Sequence, residues 1–214
     1  MNNYDVFLFD WDGTMTASLE LSFEILRTQY GRYGLTPTDA EIAKHFGDHR
    51  SAVHFGLDES RLTQFNKELQ GIFRERMPSV PLYPDAQRVL STLKGKGKKT
   101  ALITSALREV VDASLAHHEV VEMFDVVIAL EDVAEPKPHP EGILAALDRF
   151  EVSKNRAIML GDSHKDLEAA KNAGVDSLLF YPPAHKLVFD EAILKKYQPT
   201  YTIISWRELL DRLQ

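Results

Sequence analysis

The sequence predicts an α/β protein in which a doubly wound parallel sheet carries an inserted α-helical cap. Three observations lead there: short apolar runs recur along the chain, helical periodicity fills most intervals between them, and one interval is too long for a single crossover. The runs fall at 6–9, 100–103, 126–130, 157–160, 178–181 and 202–204, each followed by a polar or Gly/Pro-rich break. They read as buried strands. Because parallel neighbours need crossovers, the helical intervals between them belong on both faces of one sheet.

Taken in order, the run at 6–9 ends on Asp10, and 15–83 then reads as mainly helical. Leu19, Phe23, Leu26, Tyr30 and Tyr33 share one helical face, as do Leu62, Phe65, Leu69, Ile72 and Phe73, so both stripes serve as cap core. Pro78, Pro81 and Pro84 mark the return, which divides the chain into a core of 1–14 plus 84–214 and a cap of 15–83. After the second run, Val110 to Leu115, then Ile143, Leu144 and Leu147, then Leu167, Ala170 and Ala173 carry the helical period. Ser205-Trp206-Arg207-Glu208 reads as a capping box that opens a terminal helix.

Composition narrows the function. A chain of 214 residues, 44% apolar and 27% charged, can bury a core and carry an insertion. A formal charge of -7 gives no basic footprint, which argues against nucleic acid and asks any anionic substrate for a local cationic site. Without cysteine there is no disulfide framework and no thiolate zinc site. The opening Met1-Asn2-Asn3-Tyr4-Asp5 lacks the basic and apolar parts of a signal peptide, and no apolar run approaches the about 20 residues of a membrane span. The expectation is a cytoplasmic protein with no membrane partner.

The chemistry gathers where the strands end, which is where open α/β sheets bind ligands. Asp10 and Asp12, two apart on an extended segment, project to one side, and Gly13 permits a tight turn that exposes them; Thr14 is placed to bond nearby backbone. An Asp-Gly turn is the plain alternative. A calcium loop is excluded, because Thr14, Met15 and Leu21 stand where its oxygen ligand, Gly and Glu belong. Thr104 and Ser105 follow the second run and offer either an anion site or an ordinary helix N-cap. Lys137, between Pro136 and Pro138, is either a stiffly mounted phosphate ligand or a solvated loop lysine, and His139 reads as a turn residue. Asp162 and Asp166 suggest a magnesium corner, with a capping box between Ser163 and Asp166 as the alternative for the latter.

Taken together, Phe9-Asp10-Trp11-Asp12-Gly13-Thr14, then Thr104, Lys137 and Gly161-Asp162 with Asp166 resemble the four ordered motifs of the haloacid dehalogenase-like superfamily. Tyr83-Pro84-Asp85 resembles the return into the core of its helical-capped phosphoglycolate phosphatase and beta-phosphoglucomutase branch. The resemblance implies a Rossmann-like core and a phosphatase that attacks small phosphate monoesters through an aspartyl phosphate on Asp10. It implies Asp12 as general acid and base, and Thr104, Ser105 and Lys137 on the phosphate. Mg2+ is expected on Asp10, Asp162 and the Asp12 backbone carbonyl, with Asp166 ordering metal-bound water. One departure is Ala17, where members commonly carry aspartate ahead of the Ser or Thr supplied here by Ser18. Trp11 is bulkier than the usual residue and is expected to point away from the pocket.

Specificity has to come from the cap, since the core motifs recognise only phosphate. His49 and Arg50, after Phe46-Gly47-Asp48, are candidates to reach a small phosphorylated metabolite, with a solvated turn as the alternative. A phosphosugar mutase uses the same core with a cap that excludes water. A phosphonate-cleaving relative needs a cap lysine as Schiff base, for which Lys44 stands at unconvincing spacing. From another class, a receiver-type signalling domain or a noncatalytic phospho-ligand binder shares some of these groups; Asp162 and the long insertion speak against the receiver.

Overall fold

The structure is a computed structural model that describes Met1 and residues 3–214. Six parallel strands, β1 (Val6–Phe9), β2 (Lys99–Ile103), β3 (Val126–Ile128), β4 (Ala157–Gly161), β5 (Asp176–Phe180) and β6 (Tyr201–Ile203), lie in the order β3-β2-β1-β4-β5-β6. From β1 the chain winds outward one way through β2 and β3, then returns to wind the other way through β4, β5 and β6. The switch point therefore falls between β1 and β4, with Phe9 beside Leu102 and Leu160 at the carboxyl ends.

Alternation along β1 shows why the sheet takes helices on both sides. Phe7 and Phe9 enter one core, covered by Val89, Leu90 and Leu93 of α5 (Ala86–Gly95), Val111 and Leu115 of α6 (Arg108–His117), and Trp206 and Leu209 of α10 (Trp206–Leu213). Val6 and Leu8 enter the other, against Ile143, Ala146 and Leu147 of α7 (Glu141–Phe150) and Ala169, Ala170 and Ala173 of α8 (His164–Ala173). Each fully buried Phe or Leu here contributes about 1.5–3 kcal/mol.

Between β1 and α5 lie α1 (Ser18–Arg32), α2 (Asp39–Lys44), α3 (Ser51–His54) and α4 (Leu62–Arg76). They build a third apolar cluster around Leu19, Phe23, Leu26 and Tyr30 of α1, Ile42 of α2, and Leu62 and Phe65 of α4. Tyr33, Leu69 and Phe73 sit at its edge, half-buried, whereas Ile72, also half-buried, does not pack against it. Val188 and Phe189, between β5 and α9 (Glu191–Lys195), also pack on this cluster, so the chain after β5 touches the insertion. The two crossing segments are tied together: Ala17 N–H donates to Pro81 O at 2.9 Å, and Tyr83 N–H donates to Met15 O at 2.9 Å. At position 17 the missing aspartate leaves α1 without a side-chain cap.

Local expectations differ from the structure at several points. The third run is a strand only to Ile128, because Leu130 already opens a 3-10 turn. On α7 the buried stripe takes Ala146 in place of Leu144, which is 37% exposed. The capping box at α10 does not close: Glu208 Oε1 accepts from Ile204 N–H at 3.1 Å, one residue before Ser205. Thr14 donates to the Asp10 carboxylate rather than to backbone. Neither Thr104 nor Ser105 caps α6, whose N-cap is Leu107.

Candidate active site

The site lies at the carboxyl ends of β1, β2 and β4. Asp10 N–H extends the sheet by donating to Leu160 O at 2.9 Å, and its side chain is buried. Trp11 O then accepts from the N–H groups of Thr14, Met15 and Thr16 at 3.2, 2.9 and 3.0 Å, which folds the following residues into a tight loop. Gly13 makes that loop possible in two ways. Its φ is +78°, and a Cβ there would run into the Asp162 carboxylate. Its N–H donates to Ser18 Oγ at 2.8 Å. Trp11 turns away from the cavity, with Nε1 donating to Ser114 Oγ at 3.2 Å.

A second close approach occurs at β4. A Cβ on Gly161 would overlap Asp166, so glycine at the strand end lets the first turn of α8 press its carboxylate into the site. Asp166 closes the capping box expected with Ser163 and also turns an oxygen toward the site. Its Oδ2 accepts from Ser163 N–H and Oγ at 3.1 and 2.6 Å, closing a capping box, while its Oδ1 accepts from Lys137 Nζ at 2.6 Å. Lys137 is thus no solvated loop lysine. It is buried, and Nζ also donates to Asp10 Oδ1 at 2.5 Å. His139 N–H closes the preceding turn on Pro136 O at 3.0 Å.

Carboxylates outnumber ammonium groups in this closed space. Burial raises the Asp10 carboxyl, helped by repulsion from Asp166 and opposed by Lys137. Asp162 is pushed well above the ordinary carboxylate range by burial, then by Asp10 and Asp166. Asp12, half-buried, is also raised by burial, with the Ser18 hydroxyl and the Lys137 charge pulling the other way. For Lys137, burial favours the neutral amine, but the Asp10 and Asp166 carboxylates more than offset it and hold the ammonium above its usual value. Asp10, Asp162 and Asp166 each offer an oxygen, all within 4.8 Å of one another. An all-oxygen donor set with excess negative charge fits a hard divalent cation such as Mg2+.

Asp10, Asp12, Thr104, Ser105, Lys137 and Asp162 line one cavity of about 380 Å³. Thr104 is buried, with Oγ1 accepting from Ala106 N–H at 3.1 Å, and Ser105 is exposed. His49 and Arg50 are not in its lining. Arg50 pairs with Glu59 at 2.7 Å within the helical insertion, and the His49 side chain is 83% exposed. The insertion contributes Leu19, Ser22, Ala43, Lys44 and Phe46 instead, and Lys165 and Phe189 complete the wall. Sequence reasoning also passed over His185, which is fully buried 3.6 Å from Asp162. The break at Tyr181-Pro182-Pro183 was its available signal, since it sets His185 just past the carboxyl end of β5.

With this geometry in hand, comparison with known proteins is informative. The family model described as haloacid dehalogenase-like hydrolase matches residues 7–180. Pyrophosphatase PpaX of Bacillus cereus (strain ATCC 10987 / NRS 248) is 26% identical over 208 residues, covering 96% of this chain and 94% of its own. A protein of Caldanaerobacter subterraneus subsp. tengcongensis provisionally named pyrophosphatase PpaX is 30% identical over 207 residues, covering 95% and 91%. A Bacteroides fragilis protein provisionally described as a haloacid dehalogenase-like hydrolase has a crystal structure that superposes with a TM-score of 0.82 at 28% identity, covering 96% of this chain and 99% of that one.

Proposed function

The chain belongs to the haloacid dehalogenase-like hydrolase family, and on that premise we propose that it is a Mg2+-dependent phosphatase of small phosphorylated metabolites, with Asp10 as nucleophile and residues 15–83 as its cap. The observation that carries this reading is the buried Lys137 ammonium between Asp10 and Asp166, beside Asp162 at the base of the cavity. Lys137 and Thr14 bond opposite oxygens of Asp10 and restrict the carboxylate's rotation, so phosphorus meets it in one orientation. An Asp10 oxygen forms the new bond to phosphorus as the ester P–O bond breaks, and Asp12, kept protonated more readily by burial, gives its proton to the leaving oxygen. Asp12 then takes a proton from water, which attacks phosphorus, frees phosphate and restores Asp10. Thr104 and Ser105 supply hydroxyls for the phosphate oxygens, and Lys137 offsets their charge. Asp10, Asp162 and the Asp12 carbonyl would hold Mg2+, with Asp166 near enough to order its water, and the bound ion would supply the further positive charge that an anionic nucleophile needs to approach an anionic phosphate.

Two lysines sharpen the substrate class. Lys44 from α2 and Lys165 from α8 line the cavity together with Phe46 and Phe189. Cations beyond the phosphate site favour a compact substrate with a second anionic group, a carboxylate or a second phosphate, and pyrophosphate is of this class. The relatives named pyrophosphatase support including it. The test is phosphate release from a panel of monoesters and pyrophosphate, with Mg2+ or EDTA, for the wild type and Asp10→Asn. Magnesium-dependent release that disappears in the variant is expected, with substrates that carry a second anionic group beside the phosphate ranked first. Absence of release from every compound would overturn the phosphatase reading.

A further inference from the structure

His185 has no role in the chemistry above, yet it is fully buried in the turn at Pro183–Leu187. Four aromatic rings surround it, those of Tyr83, Phe180, Tyr181 and Phe189, with centroids 6.1, 6.0, 6.3 and 6.1 Å away. An aromatic or aliphatic side chain would fill such a box without leaving a ring nitrogen to satisfy. What the histidine adds is polar at both ends. Nε2 lies 3.0 Å from the Tyr83 hydroxyl, and Nδ1 faces Asp162 Oδ2 at 3.6 Å, roughly 0.7 Å beyond a normal N–H···O contact. Nδ1 has no hydrogen-bond partner among the described residues.

The two contacts together select a tautomer. With Asp162 ionised, as a cation ligand must be, a proton on Nε2 would leave a bare Nδ1 lone pair against a carboxylate oxygen in a buried, water-poor space, and the two would repel. With the proton on Nδ1, that nitrogen presents N–H to Asp162, and Nε2 accepts from the Tyr83 hydroxyl. The Tyr83 backbone is held by its bond to Met15 O, and Gly13 lies close against Asp162 Oδ2, the oxygen that faces Nδ1.

We propose that His185 is a positioning residue that, oriented by Tyr83, restrains the rotation of the Asp162 carboxylate and so prepares it to hold a divalent cation. The inference rests on Asp162 as a metal ligand in the reading above. Partners of this kind, one layer out from the ion, typically change metal affinity about 10–100-fold when removed.

Two measurements on the full chain test it, neither of which reads turnover. The first is the 15N signature of the His185 ring in the Mg2+-loaded protein, where Asp162 is ionised and a protonated Nδ1 and a bare Nε2 are expected; the opposite tautomer overturns the relay. The second is Mn2+ affinity, followed by the free-ion paramagnetic signal, for wild type, His185→Leu, His185→Asn and Tyr83→Phe. Leu at 185 is expected to weaken binding about 10–100-fold. Asn, which keeps an N–H near the place of Nδ1, recovers most of that loss, and Tyr83→Phe falls between Asn and Leu. Should His185→Leu not fold, the Asn and Tyr83→Phe affinities decide the matter: unchanged binding in Tyr83→Phe, or an Asn variant weaker than Tyr83→Phe, overturns the proposal. Wild-type affinity in His185→Leu does the same. If the wild type itself binds no Mn2+, the metal reading of Asp162 fails and the relay fails with it, a result distinct from loss confined to the variants.

Discussion

Lys137 and Arg50 are both basic residues beside a turn, and the structure treats them in opposite ways. Lys137, at the sheet end, is buried between Asp10 and Asp166 at 2.5 and 2.6 Å. Arg50, in the helical insertion, pairs with Glu59 at 2.7 Å with 47% of its side chain exposed. The difference lies in what surrounds them. At the sheet end, strand register, the Gly13 turn and the close approach at Gly161 leave each side chain one direction to point. In the insertion, short helices joined by loops fix backbone positions while leaving exposed side chains free to choose among neighbours and water.

Lys137→Met probes the stronger side of this comparison. Removing one partner strands two buried carboxylates, so a loss of about 3–5 kcal/mol of stability is expected in urea unfolding, together with loss of phosphate release. A variant as stable as the wild type would show that the carboxylates do not depend on that ammonium. Lys44→Ala sharpens the other side. For substrates with a second anionic group, KM should rise about 2–5-fold with kcat unchanged, as expected for one partly solvated charge pair, and substrates with an uncharged tail should be discriminated against less well. A fall in kcat at constant KM would move Lys44 into the chemical step. Arg50→Ala should do least: within about 0.2–1 kcal/mol in stability and no change in kcat/KM. A large kinetic effect there would mean that the cap brings Arg50 to the substrate.

The same contrast explains what could be read from the sequence. The unbroken apolar run of Val6–Phe9 and the 3.6 period of the later helices follow from a parallel sheet buried on both faces, so the fold class was legible in the sequence. Asp10, Asp12, Lys137, Asp162 and Asp166 were legible as candidates because each sits within a few residues of a strand end or a rigid turn. His185 was not, because its partners Tyr83 and Asp162 are 102 and 23 positions away and no local pattern links them. Lys44 and Lys165 share a cavity only through the docking of the helical insertion on the sheet end, which periodicity does not encode. The unformed capping box at α10 has a similar origin: Trp206 is drawn inward to stack on Phe180 at 4.7 Å, and Glu208 bonds Ile204 N–H instead.

The central claim is that Asp10 carries the phosphoryl group, and acid quenching during turnover followed by borohydride reduction tests it most directly. Borohydride reduces an acyl phosphate and leaves a free carboxylate untouched, so peptide mass spectrometry reads which aspartate was phosphorylated. Reduction is expected at Asp10 alone, dependent on both substrate and Mg2+ and absent after EDTA. Steady phosphate release with Asp10 unmodified, or with the modification on Asp12 or Asp162, would contradict it.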